Sequence, residues 1–349
     1  MSDPEQPSYG PPPTGAPYGA PVAVSPGPDA EEVGGLEYHR IYRAGRRGWG
    51  WYIGGIATLG VFFLLVNVII VIVGSIAILV ATGTPLDELG DRLTALADTG
   101  DVTPSVLLFL NAVLILTIPA AWFCTRVFHD IKPRWLASVA PRIRWKWLLI
   151  SFGPALVALV VAIFLGALLP GAENEDVTGG ANAFTDTTRD FLLVIVLLTP
   201  LQAVAEEYAF RGYLTQAFGS LVRDPVKARY LAVIGPAALF AAAHGGQSLP
   251  VFFDRLAFGL VAGVLVIATG GLEAAIAYHV LNNLLAFGIA LFFGDMTQAL
   301  NPGEGSWWDM VVSTAKSGIF VVLTISLARR MGLQTRTTPG VLEPPRSPV

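Results

Sequence analysis

The chain has 349 residues, of which 53% are hydrophobic and only 14% are charged, and its formal net charge at pH 7 is -4. Soluble domains carry about 25% charged residues, so this composition, with a mean hydropathy of +0.60, excludes an ordinary soluble protein. Several separate apolar runs reach the roughly 20 residues that a helix needs to cross a bilayer. A single cysteine, Cys124, excludes an internal disulfide framework and a cysteine-rich metal site. We therefore predict an all-α, polytopic membrane protein.

The first stretch of the chain has a composition typical of disorder. Residues 1–39 are rich in Pro, Gly, Ala and acidic residues and cannot bury enough apolar surface to order themselves. They contain no Lys, no Arg and no apolar core, so we expect no cleavable signal peptide. A Pro-rich ligand for a partner domain is an alternative interpretation of this stretch. We predict a disordered cytoplasmic tail over 1–39, a transmembrane domain over 40–332, and a second disordered tail over the proline-rich residues 333–349.

The charges between the apolar runs predict how the chain crosses the membrane. Basic residues precede the first run and follow the second, fourth and eighth, whereas the intervening loops are mostly acidic. Because cytoplasmic loops are enriched in Lys and Arg, we expect about eight transmembrane helices with both termini in the cytoplasm. The predicted spans are about 49–81, 104–127, 147–169, from 191 to the basic flank at 223, 231–244, 251–268, 272–293 and 310–327.

One apolar run contains the charged stretch Glu206-Glu207-Tyr208-Ala209-Phe210-Arg211. A charge at the centre of a bilayer helix costs roughly 2.5–3.5 kcal/mol on insertion scales, so such residues are usually paired and functional. Residues four apart share a helix face, so Glu207 is expected to pair with Arg211. Glu206 is turned about 100° away, which leaves it available to another partner. A purely structural ion-pair cluster is the alternative for this stretch taken alone.

The four histidines divide into two pairs. His39 and His129 lie in charged flanks, where we expect solvated side chains. His244 and His279 lie within apolar spans, and Asn283 follows His279 by four residues, so the two side chains point the same way. Each of these three side chains, taken alone, could simply form a hydrogen bond between two helices. Their combination with the two glutamates favours a common site. The pair Asp254-Arg255, near the start of the sixth span, is expected to be structural or at the outer interface.

Together these residue types can hydrolyse an amide. A carboxylate in a low dielectric can act as a general base toward water. An imidazole can orient that water, protonate a leaving amine or bind a metal, and an Asn amide can donate to a developing oxyanion. The sequence has no His-Glu-x-x-His helix, no Gly-x-Ser-x-Gly elbow and no Walker loop.

The three motifs resemble, in order and type, those of a known family. Glu206-Glu207-x-x-x-Arg211, Phe240-x-x-x-His244 and His279-x-x-x-Asn283 are similar to the motifs of the CAAX-protease and bacteriocin-processing (CPBP, or Abi) intramembrane metalloproteases, which are related to the type II CAAX prenyl endopeptidases. The resemblance covers about residues 190–293, which would form a four-helix catalytic core. It implies an endopeptidase that cuts near the C-terminus of a membrane-associated or lipidated substrate with water activated by Glu206.

The same resemblance implies the composition of the site. Glu207, His244, His279 and Asn283 would complete the catalytic set, with Arg211 and Phe240 in binding or structural roles. Zn²⁺ or another divalent metal is an open possibility, and Glu206, His244 and His279 are the candidate ligands. The implied partners are a membrane-embedded peptide or protein and the lipid bilayer of a bacterial plasma membrane, and no nucleic acid. The alternatives are a non-proteolytic scaffold or bacteriocin-immunity protein of the same family, and a transporter, which would predict inverted repeats.

Overall fold

The computed structural model describes residues 35–83, 85, 87–88, 90–91, 100–168, 180–303 and 305–342. Within that part of the chain, regular structure is helical and no strand longer than an isolated bridge occurs. Seven helical segments are long and apolar enough to cross a membrane, and the pair Tyr38–Ala44 and Trp49–Leu65, bent by 119°, raises the number to as many as eight. The prediction of an all-α polytopic membrane protein is confirmed.

The helices follow the predicted spans closely. A 3-10 helix at Tyr38–Ala44 precedes them, and a second one at Pro133–Leu136 lies in the first basic loop. The α-helices are α1 (Trp49–Thr82), α2 (Pro104–Ile115), α3 (Thr117–His129), α4 (Trp145–Leu168), α5 (Asp186–Leu197), α6 (Thr199–Glu206), α7 (Thr215–Leu221), α8 (Pro225–Ala243), α9 (Leu249–Thr269), α10 (Glu273–Phe293), α11 (Met296–Leu300) and α12 (Trp307–Arg330), and a π-helix at Glu207–Leu214 joins α6 to α7.

Local sequence explains where the helices start and break. The side chain of Asp224 accepts hydrogen bonds from Val226 N and Lys227 N, both at 2.9 Å, which caps the start of α8. Pro119 and Pro200 lack the amide N–H that would continue a helix. They explain why the second span is divided into α2 and α3, and the fourth into α5 and α6.

The loops gather at two opposite ends of the bundle, as the alternating charge predicts. At one end, Ser138 forms an isolated bridge with Gly271, and Arg144 pairs with the fully buried Glu273 at 2.7 Å. At the other end, Asn182 N donates to Phe292 O at 2.7 Å, and Val102 N donates to Thr297 Oγ1 at 3.1 Å. The loops predicted to share a side of the membrane are therefore neighbours.

The predicted boundaries of the tails are wrong over the described residues. Residues 35–39 and 333–342 are not disordered segments, because Leu36 and Thr337 exchange hydrogen bonds of 2.9 Å in both directions and both are buried. Glu37 pairs with Arg336 and with Arg229 at the start of α8. The remaining parts of the predicted tails, 1–34 and 343–349, lie outside the described residues.

The prediction that His39 and His129 are solvated is also wrong. Both have an exposed fraction of 0%, since the 3-10 helix folds back against the bundle and covers them. His129 stacks on Tyr42 with ring centroids 3.9 Å apart, and its Nε2 lies 3.1 Å from the hydroxyl of Tyr213. These histidines are core residues of the bundle.

The hairpin of α8 and α9 packs unusually closely. A Cβ atom at Gly259 would lie 2.9 Å from both Cα and Cβ of Ala237, and one at Gly263 would lie 3.4 Å from Cα of Val233. Small residues four apart allow membrane helices to approach in this way. The close approach fixes Phe240 and His244, at the end of α8, relative to the start of α9.

Candidate active site

A change of helix type separates the two glutamates. Glu206 is the last residue of α6, whereas Glu207 begins the π-helix that ends at Leu214. Such segments occur mainly as single turns inside α-helices and often at functional sites. Here Glu207 has an exposed fraction of 0% and Glu206 one of 9%. The chain therefore presents one carboxylate to the interior of the bundle and the other to a cavity.

Glu207 forms the buried centre of the site. Arg211 Nη1 donates to Glu207 Oε1 at 3.1 Å, which is the pair that the four-residue spacing predicts. His279 Nδ1 donates to the same oxygen at 2.8 Å. The carboxylate thus joins the π-helix to α10 and fixes the orientation of the imidazole, as acidic partners commonly do for functional histidines.

Aromatic rings enclose the Arg211 guanidinium. Its Cζ lies 4.1 Å from the ring centroid of Phe240 and 5.5 Å from that of Phe258. A desolvated cation over an aromatic face gains about 2 kcal/mol or more, which offsets part of the burial of Arg211. Phe240, which the sequence assigns a binding or structural role, thus contacts the ion pair directly.

Glu206 and His279 meet at the surface of the cavity. His279 Nε2 lies 3.3 Å from Glu206 Oε2, so the same imidazole contacts both carboxylates through its two nitrogens. Because Nδ1 faces Glu207, Nε2 is the ring nitrogen that faces Glu206. The adjacent glutamates are therefore inequivalent, one anchored by an arginine and the other facing open space.

His244 stands at the end of α8, where the helix gives way to Gly245. Its Nδ1 lies 2.8 Å from the carbonyl oxygen of Phe240, so Nδ1 carries the hydrogen and Nε2 is the free nitrogen. The residue is exposed to the cavity. The helix ends at the position that the Gly-Gly sequence after His244 predicts.

Asn283 and its neighbour Asn282 both line the cavity. Asn283 Nδ2 donates to Gln202 Oε1 at 3.3 Å, which leaves one of its two N–H bonds for another acceptor. Asn282 Oδ1 accepts from Lys316 Nζ at 2.9 Å. Both amides therefore face the same cavity although they occupy consecutive positions of α10.

The cavity has a volume of about 1040 Å³, in the size range of small-molecule and peptide-binding sites. Glu206, His244, His279 and Asn283 contribute to its wall, and Glu207 lies behind it. The wall near α1 and α2 is apolar except for Asn111. The polar part of the wall includes Gln202, Asp254, Arg255, Asn282, Asn283 and Lys316.

The geometry does not assemble the candidate metal ligands into a metal site. Among the described residues, no three His, Cys, Asp or Glu side chains converge closely enough to bind a metal ion. Both nitrogens of His279 already face the two glutamates, and His244 Nδ1 faces a backbone carbonyl. Only Glu206 and His279 of the predicted set are in contact, so we derive no chemical step through a metal.

Sequence reasoning missed several polar residues of this wall. Gln202 precedes Glu206 by four residues and therefore shares its helix face, which is a signal that could have identified it. Lys316 is the only charged residue between Val311 and Leu327, and its position in an apolar run is a similar signal. The pair Asp254-Arg255, expected to be structural or interfacial, lines the same cavity as Glu206.

Comparisons with known proteins agree with the motifs. Residues 188–285 match the family model described as Type II CAAX prenyl endopeptidase Rce1-like, a stretch that includes Glu206, Arg211, His244, His279 and Asn283. The chain is also 30% identical over 189 residues to the uncharacterized protein YyaK of Bacillus subtilis (strain 168). That alignment covers 52% of this chain and 60% of the relative. No solved structure matches the chain significantly.

The matched region contains all three motifs, and its helices supply every catalytic candidate in the cavity wall described above. The resemblance predicted from the sequence is thus confirmed: residues 188–285 match the type II CAAX prenyl endopeptidase family of the Rce1-like kind.

Proposed function

We propose that this protein is an intramembrane endopeptidase that hydrolyses a peptide bond near the C-terminus of a membrane-associated or lipidated substrate. The observation that carries the proposal is the contact between Glu206 and His279, 3.3 Å apart, in the wall of a cavity between membrane-spanning helices. Intramembrane carboxylates and imidazoles are rare and usually functional. The match of residues 188–285 to an endopeptidase family supports the same conclusion.

In the proposed reaction, Glu206 is the general base. It takes a proton from a water molecule in the cavity while the water oxygen bonds to the carbonyl carbon of the substrate. Glu207 does not touch the substrate, because it is fully buried. It accepts the hydrogen of His279 Nδ1 and also accepts from Arg211 Nη1. These two contacts hold His279 Nε2 toward Glu206.

The remaining groups would act on the tetrahedral intermediate. The free N–H of Asn283 can donate to the oxyanion, an interaction for which removal of one donor typically costs about 10²- to 10³-fold in rate. The bond from carbon to nitrogen then breaks, and the proton held by Glu206 passes to the leaving amine. His244, with Nε2 free, is positioned to orient the water or to assist that transfer.

The decisive experiment is a matched pair of variants in purified full-length protein. Glu206→Gln keeps the size of the side chain but removes the base, so we expect peptide cleavage to fall by about 10²- to 10⁴-fold while thermal unfolding is unchanged. Arg189→Gln, at an exposed ion pair near the start of α5, is the control. Cleavage of a fluorogenic peptide library is measured with and without a chelator. The comparison also tests whether cleavage requires a divalent metal.

If the Glu206→Gln and His244→Ala variants both cleave peptides at the wild-type rate, the endopeptidase proposal is refuted. A folded wild-type protein that cleaves no member of the library would instead favour the non-proteolytic scaffold or immunity function. Loss of wild-type cleavage with chelator, restored by Zn²⁺, would show that the reaction requires a divalent metal.

We further propose that the end of the bundle containing Gly271 and Thr338 faces the cytoplasm of a bacterial plasma membrane, with both termini on that side. The basic loops at this end support the orientation. In a Cys124→Ala background, a cysteine at Thr338 should resist an impermeant maleimide in intact cells, and one at Asp295 should react. The reverse pattern of labelling would contradict the orientation.

A further inference from the structure

Two side-chain contacts cross from α6 to α10, one helical turn apart. Glu206 Oε2 lies 3.3 Å from His279 Nε2, and Gln202 Oε1 accepts from Asn283 Nδ2 at 3.3 Å. Glu206 follows Gln202 by four residues, and Asn283 follows His279 by four, so the two contacts join the same faces of the two helices in antiparallel order. All four residues line the cavity. The amide pair is therefore the next rung beside the pair of Glu206 and His279.

The amide pair has more donors than the contact between the helices uses. Each carboxamide carries two N–H bonds, and their mutual hydrogen bond uses one of the four. Within the part of the chain that the structure describes, Gln202 Nε2 has no hydrogen-bond partner, and it is not sealed from the cavity that Gln202 lines. Rotating both carboxamides by 180° would reverse the hydrogen bond and would still leave three N–H bonds free.

This surplus of donors is not explained by helix packing. A contact that only held two membrane helices together would enclose its donors and satisfy them, because an N–H bond without an acceptor is costly in an apolar surrounding. The free N–H bonds of Gln202 instead belong to a side chain in the cavity wall. Their acceptor is therefore a group that enters the cavity, either water or an oxygen of the substrate.

The spacing along the helices fits a carbonyl group that is attacked by water at Glu206. Four residues correspond to about 6 Å along a helix axis. A water molecule lies about 2.8 Å from the oxygen that accepts its hydrogen, and an attacking oxygen stands about 3–3.5 Å from the carbonyl carbon. The substrate carbonyl is thus about one helical turn from Glu206, at the level of Gln202 and Asn283.

We propose that Gln202 is a further catalytic residue, which donates from Nε2 to the oxyanion beside Asn283. The inference rests on the proposed endopeptidase function and adds a second amide donor to its site. As the water oxygen bonds to the carbonyl carbon, the π electron pair moves onto the carbonyl oxygen, and both amides donate to the charge that forms there. When that pair returns, the bond from carbon to nitrogen breaks and the leaving amine takes the proton held by Glu206.

The test makes the same substitution at two buried glutamines of the full-length protein. Gln202→Met keeps the length of the side chain and removes the donor, so we expect kcat for the best-cleaved peptide of the library to fall about 10²- to 10³-fold. KM should change little, because the charge on the oxygen exists only in the transition state and intermediate. Gln216→Met on α7 is the matched control. Gln216 Nε2 donates to Trp135 O at 3.0 Å outside the cavity wall, so its loss should lower the midpoint of thermal unfolding and leave kcat unchanged.

A second background separates donation to the oxyanion from positioning of Asn283. In Asn283→Leu protein, Gln202→Met should lower kcat by a further factor of about ten or more, since Gln202 contacts the oxyanion itself. If the second substitution costs nothing more, Gln202 acts only through Asn283 and the assignment as a donor is wrong. A rise in KM with unchanged kcat for Gln202→Met alone would show that Gln202 binds another part of the substrate, and would also overturn the inference.

A phosphinic analogue of the same peptide tests the contact without turnover. Its tetrahedral P–O⁻ group resembles the oxyanion, so Gln202→Met should weaken its binding by about the factor lost in kcat while Gln216→Met leaves it unchanged. Equal binding of the analogue by wild type and Gln202→Met would overturn the inference. If Gln202→Met cleaves at the wild-type rate while Glu206→Gln does not, only this inference falls. If the wild type cleaves no peptide, the endopeptidase function falls with it.

Discussion

At the scale of single residues, the site depends on two adjacent glutamates in different environments. Glu207 accepts from both Arg211 and His279 and is fully buried, whereas Glu206 faces the cavity. In the proposed mechanism, the buried carboxylate positions His279 and the accessible one is the base. The two side chains diverge because neighbouring residues of a helix point about 100° apart.

The pair of Arg211 and Glu207 should show strong energetic coupling. Removing one partner of a buried ion pair leaves an uncompensated charge and costs about 3–5 kcal/mol, so Arg211→Met and Glu207→Gln should each lower the midpoint of thermal unfolding. The double variant removes both charges and should be more stable than Arg211→Met alone. Additive losses in the double variant, measured in the same detergent, would show that the two side chains are not coupled.

Residue spacing predicts part of this site and no more. The four-residue separations that link Glu207 to Arg211 and His279 to Asn283 follow from helix geometry alone. The burial of His39 and His129 could not be predicted, because it depends on a 3-10 helix that packs against elements distant in sequence. Lys316 carries a readable signal, a lone charge in an apolar run, but its partner Asn282 is known only from the fold.

At the scale of elements, the position of the site is set by how closely the helices pack. The lengths and order of the helices follow from apolar run length, capping residues and proline positions, which are all local properties. The π-helix is not specified by local sequence, because no residue type between Glu207 and Leu214 requires it. Most of its residues are buried against other elements. Sequence therefore predicts the helices but not the π-helical segment between Glu207 and Leu214.

The close contact of α8 with α9 should be sensitive to added volume. A Cβ at Gly259 would already lie 2.9 Å from Ala237, so Gly259→Leu should separate the helices, displace Phe240 and His244, and reduce both cleavage and thermal stability. Gly153→Leu on α4 is the matched control, because nothing lies within 4 Å of its added Cβ. Equal behaviour of the two variants would show that the approach of α8 to α9 does not position the site.

At the scale of the whole molecule, Glu37 ties segments from both ends of the described chain to the bundle. Its Oε1 accepts from Arg229 Nη2 at 2.9 Å and from Arg336 Nη2 at 2.8 Å. Burial, the largest influence, would raise the pKa of the Glu37 carboxyl. The hydrogen bond from Arg229 and the nearby charges of His39, Arg229 and Arg336 together hold that pKa below its ordinary value of 4.5.

A lowered pKa makes this junction dependent on pH with a definite sign. The stabilisation from ionised Glu37 is fully present above the unfolded-state pKa, near 4.5, and is lost as the pH falls through the lower folded-state pKa. We expect hydrogen exchange of residues 35–44 and 333–342, corrected for intrinsic rates, to accelerate in that acidic range. Glu37→Gln should show faster exchange at neutral pH and no further change attributable to this group on acidification.

The pairing of Leu36 with Thr337 has a practical consequence for protein engineering. Because these positions are hydrogen-bonded to each other, a short linker could join them and make the described chain circular. New termini could then be opened in the connection between α11 and α12, giving a circular permutant in which α12, with Lys316, is synthesised first. Such a molecule would reveal whether the ribosome must deliver the helices in their natural order for the cavity to assemble.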